Sequence, residues 1–108
     1  MCTVIICGGR GYNDFRRLCV VLDELHAALG FTLLKEGDCS GVDRMARRWA
    51  LPLNMLVKSF PPDWSAYGKR AGPIRNGAML ADSPTDYVIA FPGGAGTEGR
   101  GVEAEHRQ

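Results

Sequence analysis

The sequence predicts an α/β domain with a mostly parallel sheet of about four or five strands, covered by helices on both faces. Three observations carry this expectation. Short apolar, β-branched runs alternate with segments of helical periodicity. The strand-like runs are apolar throughout rather than alternating, as in strands buried on both sides. Each run ends in a turn rich in glycine or polar residues, which separates it from the helical pattern that follows.

The elements follow in order. Thr3 to Cys7 (TVIIC) reads as the first strand, stopped by Gly8-Gly9. Asn13 or Asp14 can cap the next helix, in which Leu18, Val21, Leu22, Leu25, Ala28 and Leu29 recur at helical spacing until Gly30. Phe31 to Lys35 is the second strand, closed by Gly37. Ser40-Gly41-Val42-Asp43 has the form of a capping box, which makes Ser40 the expected cap of a helix. That helix turns Met45, Ala46, Trp49 and Ala50 inward and Arg44, Arg47 and Arg48 outward, and ends at Pro52. Asn54 to Phe60 is a third strand. A long mixed loop runs from Pro61 to Pro73, Ile74 to Ala81 forms a short helix weakened by Gly77, and Tyr87 to Phe91 is the fourth strand. One domain over residues 1–108 is expected, with no repeat and no linker.

In a parallel sheet the turns that follow the strands share the carboxyl edge, where open α/β sheets bind ligands. Four turns therefore converge: Gly8-Gly9-Arg10-Gly11, Gly37 to Gly41, Pro61 to Lys69, and Pro92 to Thr97. Glycines let backbone N–H groups point together at one anion, and a helix start adds partial positive charge. The expected ligand is a phosphate, held by Gly8, Gly9, Gly11, Gly93, Gly94, Gly96 and Thr97, with Arg10 adding charge. Asp43 has two readings, a capping residue or a cleft carboxylate that accepts hydrogen bonds from ribose hydroxyls. Ser40 caps the helix or donates to phosphate. Trp64 and Tyr67, beside Lys69, Arg70 and Arg75, suit a base stacked on a ring with its phosphate on a guanidinium. The alternative for that stretch is a hydrophobic plug under a loop.

Composition narrows the classes. A hydrophobic content of 45% and a charged content of 23% fit a soluble globular protein, and a net charge of +1 supplies no global field toward nucleic acid or membrane. No apolar run approaches the roughly 20 residues of a membrane span. The opening MCTVIICGG reads as a strand rather than a signal peptide, so a cytoplasmic location is expected. Cys2, Cys7, Cys19 and Cys39 lack Cys-x-x-Cys spacing and are expected to be reduced, with Cys39, in a turn, the one to watch for reactivity. His26 on a helix and His106 in the tail form no metal set and no catalytic triad. No metal and no obligatory cofactor are expected. Neither glycine run completes a dinucleotide fingerprint, and there is no P-loop lysine.

The segments GGRGYNDF, EGDCSGVDRMARRWA, FPPDWSAYGKRAGPIRNGAML and VIAFPGGAGT, in this order, resemble the YspA-type (cpYpsA-related) branch of the SLOG superfamily across residues 3–97. The resemblance implies a Rossmann-like three-layer sandwich that binds a nucleotide or nucleotide-derived ligand, such as an ADP-ribose derivative, as a sensor or ligand-handling domain. Arg75, Asn76 and Pro92 stand at its motif positions, and with Gly37 and Gly41 of the converging turns they complete the expected contacts.

The superfamily also holds LOG-type phosphoribohydrolases, with an Arg-Lys-x-x-Met and a Pro-Gly-Gly-x-Gly-Thr-x-x-Glu segment. Here Arg75 and Met79 remain, Asn76 replaces the lysine, and Arg100 stands at the glutamate position. Hydrolysis of a nucleoside monophosphate would need Asp43 or Glu98 as its carboxylate, because the oxocarbenium-like state wants a nearby negative charge. A third reading, from the single-stranded DNA-binding members, is a nucleic-acid track along Arg44, Arg47, Arg48, Lys69, Arg70 and Arg75, against which the near-neutral charge weighs. The tail EGRGVEAEHRQ predicts a short last helix and a sheet without its final strand. That exposed flank would favour a homodimer.

Overall fold

The structure, a computed structural model, describes residues 1–92 and the backbone of residues 103–106. Along the chain run β1 (Thr3–Gly8), α1 (Phe15–Leu29), β2 (Leu33–Glu36), α2 (Val42–Ala50), β3 (Leu56–Ser59), α3 (Trp64–Tyr67), α4 (Ala71–Asp82), β4 (Tyr87–Phe91) and β5 (Glu103–His106). The sheet order is β3-β2-β1-β4-β5. The first four strands are parallel, and β5 pairs antiparallel with β4. This is the expected Rossmann-like α/β fold.

Register decides which side chains share a face. Val4 and Ile6 of β1 stand beside Tyr87 and Ile89 of β4, and Val4 beside Leu34 of β2. These residues meet Leu18 and Leu22 of α1 and Val42, Ala46, Trp49 and Ala50 of α2 in the main core. Trp49 is buried there, and its indole N–H donates to Asp23 Oδ1 at 2.9 Å. The cap of α1 is Asp14, whose Oδ1 accepts from Arg17 N at 3.0 Å. Gly30 ends the helix in the left-handed conformation (φ 69°), where a side chain is disfavoured. His26 Nδ1 accepts from Phe31 N at 3.1 Å, so this histidine closes the helix end.

The other face carries α4, tied down by a buried lysine. Lys35 is fully buried in β2, and its Nζ donates to Met79 O and Ser83 O, each at 2.8 Å, in the last turn of α4 and just beyond. Burial pushes this ammonium below the ordinary lysine range, partly offset by Asp82. Replacing Lys35 by methionine should destabilise the fold by about 1–3 kcal/mol, because both carbonyls lose their buried donor. Folding releases protons from a lysine so shifted, so the native protein gains stability as pH rises toward about 10.4. Urea unfolding of wild type and Lys35→Met across alkaline pH checks both the loss and the slope, which the variant should lack.

Several expectations change. The sheet does not lack its final strand, because β5 lies along β4, and the argument for a homodimer from an open flank there falls with it. Of the last helix expected after Thr97, residues 103–106 are strand β5 instead, and the rest lies outside the described residues. The stretch 61–73 is not one loop. Asp63 caps α3 by accepting from Ala66 N at 3.1 Å, a 3-10 turn spans Gly68–Arg70, and α4 starts at Ala71 rather than Ile74. Trp64 and Tyr67 are exposed and plug nothing. The strands are not apolar throughout, since β2 ends in buried Lys35 and Glu36, and β3 is largely exposed at the sheet edge. Nor does Ser40 cap α2. The cap position is Gly41 with no side-chain hydrogen bond, and the Ser40 hydroxyl donates to Arg10 O at 3.3 Å.

Candidate functional site

The strand order reverses between β1 and β4, and the crevice at their carboxyl ends is where this topology places a ligand. Its floor is Gly8, packed so closely that a Cβ would lie 2.6 Å from Val42 Cγ2 and 2.7 Å from Phe91 O. The Gly9 carbonyl accepts from Tyr12 N and Val42 N, both at 3.3 Å, and so ties the turn after β1 to the start of α2.

The turn after β2 is shaped by an acid that the sequence reading passed over. Glu36 is fully buried, with one carboxylate oxygen accepting from Asp38 N at 2.6 Å and the other from the Ser59 hydroxyl. Arg47 lies 3.6 Å from that second oxygen and 3.1 Å from Asp38 Oδ1. Asp38 itself takes a positive φ of 56°. The buried carboxylate thus holds a strained turn from below. Two charged residues, Lys35 and Glu36, closing a strand that begins apolar were the available signal for it.

The turn in turn presents two groups to the crevice. Cys39 N donates to Asp43 Oδ2 at 3.2 Å, and Gly37 O accepts from Arg75 Nη1. A Cβ at Gly37 would lie 2.6 Å from the Arg75 guanidinium carbon, so a side chain there would push Arg75 off the Gly37 carbonyl. Arg75 Nε donates to Asn76 Oδ1 at 2.8 Å, and its Nη1 lies 3.7 Å from Cys39 Sγ. Burial pushes the Asp43 carboxyl above the ordinary range. The Cys39 N–H pulls it down, Glu36 pushes it up, and Arg75 pulls it down. Burial likewise raises the Cys7 thiol.

These groups line a pocket of about 160 Å³ that brings together Gly8, Arg10, Gly37, Asp43, Arg75 and Asn76. An adjoining hollow of about 210 Å³ holds Arg10, Ser40 and Trp64, with the Arg10 guanidinium 5.0 Å from the centre of the Trp64 ring. Thus Arg10, Asp43 and Arg75 do share one cavity, and Ser40 and Trp64 stand at its outer side. Gly41 packs behind the pocket and does not line it. Gly11 is exposed with open space around it, and Tyr67 is exposed on α3 and lines none of these cavities. Pro92 directly follows β4. The expected sites at Gly93, Gly94, Gly96, Thr97 and Glu98 lie outside the described residues. Among the described residues, no group of three His, Cys, Asp or Glu side chains could hold a metal, and no helix is long and apolar enough to cross a membrane.

The profile of the YspA, cpYpsA-related SLOG family matches residues 2–67, which hold both crossed turns, Glu36 and Asp43. The chain belongs to this family. It is also 33% identical over 109 residues to the Gene 61 protein of Mycobacterium phage D29, covering 95% of this chain and 82% of that protein. No solved structure matches it. Arg75, Asn76 and Met79 lie beyond the stretch matched by the family profile, so their place in the site rests on the geometry above.

Proposed function

We propose that this SLOG domain binds a nucleotide or nucleotide-derived phosphate in the crevice at the carboxyl ends of β1 and β4, as a sensor or ligand-handling module. The observation that carries the reading is the meeting of Arg10, Arg75 and the buried Asp43 in one pocket. Two guanidiniums suit a phosphate, since planar N–H forks match its oxygens. A buried carboxylate whose Oδ2 accepts from Cys39 N, with a weaker pull from the Gly37 backbone, keeps lone pairs free for ribose hydroxyls. Membership of a nucleotide-related family agrees with this chemistry.

The test is thermal stabilisation by adenosine 5′-monophosphate, ADP-ribose, NAD and short single-stranded DNA. A ligand at a hundredfold its Kd stabilises the native state by about 2.7 kcal/mol. A shift with one of the small ligands is expected, and Arg75→Ala should weaken that ligand by about 10- to 150-fold through loss of a charge-assisted hydrogen bond. A shift with DNA alone, falling steeply with salt, would replace this reading with the nucleic-acid one.

A second reading is hydrolysis of the N-glycosidic bond of a nucleoside monophosphate. Asp43 favours it, because a cleft carboxylate with a raised proton affinity is a candidate for acid–base or electrostatic work at the sugar. Base release measured by chromatography decides it. Turnover by wild type that persists in Asp43→Asn rules out that role for Asp43.

A further inference from the structure

The polar pocket does not end at its inner wall. Cys7, Asn76 and Met79 line it and also line a second chamber of about 160 Å³, completed by Ile5, Leu80 and Val88. This chamber lies between α4 and the sheet face opposite the main core. Among the described residues, Asn76 is the only amide or charged side chain on its walls. Each cavity alone is smaller than the roughly 300–1,000 Å³ of ordinary small-molecule sites, and the two joined reach the lower end of that range. A molecule that fills both must carry an anionic, hydroxyl-bearing end and a mainly apolar end a few bonds apart.

We propose that the chamber walled by Ile5, Met79, Leu80 and Val88 is the base subsite of the ligand whose phosphate and sugar occupy the Arg75–Asp43 pocket. The inference rests on the nucleotide reading above and names where specificity resides. A nucleobase has two apolar faces and a polar edge. Sheet residues Ile5 and Val88 and helix residues Met79 and Leu80 supply apolar walls, and a thioether packs well against an aromatic ring. Cys7, with its thiol kept neutral by burial, is a small apolar contact at the junction.

Asn76 reads the edge. Its Oδ1 accepts from Arg75 Nε, which turns that oxygen toward the arginine and leaves both amide N–H groups to donate. The subsite therefore favours a base that presents an acceptor, a ring nitrogen or a carbonyl, beside the sugar. Leu80 is 48% exposed without such a base, an apolar side chain that a bound ring would cover. Trp64, the residue expected from sequence to cover the base, stands on the outer side with the Arg10 guanidinium already over its ring.

The test compares adenosine 5′-monophosphate with ribose 5-phosphate, which lacks only the base, by calorimetry. Wild type should bind the nucleotide at least about tenfold more tightly. Leu80→Gln, at an exposed helix position that keeps the fold, should reduce this preference roughly five- to tenfold by removing an apolar wall. Val88→Phe, which fills the chamber, should do the same, and neither variant should change ribose 5-phosphate binding. Equal binding of the two probes by wild type overturns the subsite. So does a preference that survives Leu80→Gln, or one that only Trp64→Ala removes. Failure of both probes to bind wild type, with no thermal shift from ADP-ribose or NAD either, overturns the nucleotide reading itself, a different result from equal binding.

Discussion

Gly41→Ala should destabilise the protein by about 3 kcal/mol or more, the largest stability effect expected of a single added methyl group among the described residues. Gly41 opens α2 with φ 78° and ψ −127°, a conformation that residues with a Cβ rarely adopt. An alanine methyl there would also collide with the carbonyl oxygens of Gly9 and Arg10, and it would lie 2.7 Å from the Arg10 carbonyl carbon. These are backbone atoms and cannot rotate away. Gly9 O is the acceptor for both Tyr12 N and Val42 N, so displacing it weakens the tie between the two turns. Urea unfolding reads the loss. Gly11→Ala, with nothing within 4 Å of the added methyl, is the control and should stay within about 0.5 kcal/mol of wild type. Equal midpoints for the two variants would mean that the crossed turns are not what fixes the crevice. Ligand binding should fall with Gly41→Ala as well, because Arg10 sits on the displaced turn.

The contrast between these two glycines also shows what a sequence can and cannot disclose. Both stand in turns after strands, and the letters do not separate them. Only the neighbouring turn, brought close by parallel pairing, makes one indispensable. The same logic sorts the elements. Strand β4 is found at Tyr87–Phe91 as expected, and α1 ends at Gly30 as expected, because apolar runs and caps are local signals. A parallel sheet gathers its post-strand turns at one edge, which puts Arg10 and the start of α2 with Asp43 there, whereas Arg75 comes from helix α4 and from none of those turns. Lys35 and Glu36 were not legible in the sequence. Their burial depends on carbonyls of α4 and on Arg47 and Ser59, which come from other elements. Strand β5 was missed because Glu103 to His106 lacks the apolar alternation that marks a strand, and its place is set by backbone pairing with β4. The early start of α4 hid behind Gly72 and Pro73, which read as loop, although proline is tolerated in a first helical turn.

Asp43→Asn should separate the two roles that the sequence left open for this residue. A capping carboxylate stabilises its helix, and its loss would cost about 1 kcal/mol. Asp43 makes no capping bond in α2. It accepts from Cys39 N four residues back, a bond that an asparagine oxygen can keep. Burial raises its proton affinity, so the native state binds more protons than the unfolded chain once the pH exceeds the ordinary carboxylate value near 3.9. The contribution of Asp43 to stability therefore falls as the pH rises from that value through the raised native one, opposite in sign to that of Asp82, whose carboxyl Lys58 holds below the ordinary range. Asparagine carries no charge to bury. The variant should be at least as stable as wild type at pH 7, and its advantage over wild type should grow as the pH rises from about 4. Binding should move the other way. If the carboxylate accepts both ribose hydroxyls, losing two charge-assisted bonds should weaken the nucleotide by at least about 100-fold. Chemical unfolding at pH 4 to 7 and calorimetry with the same protein read the two effects separately. A variant that is less stable yet binds normally would return Asp43 to a structural role. One that is more stable and binds poorly marks a carboxylate kept in an unfavourable place for the sake of its ligand.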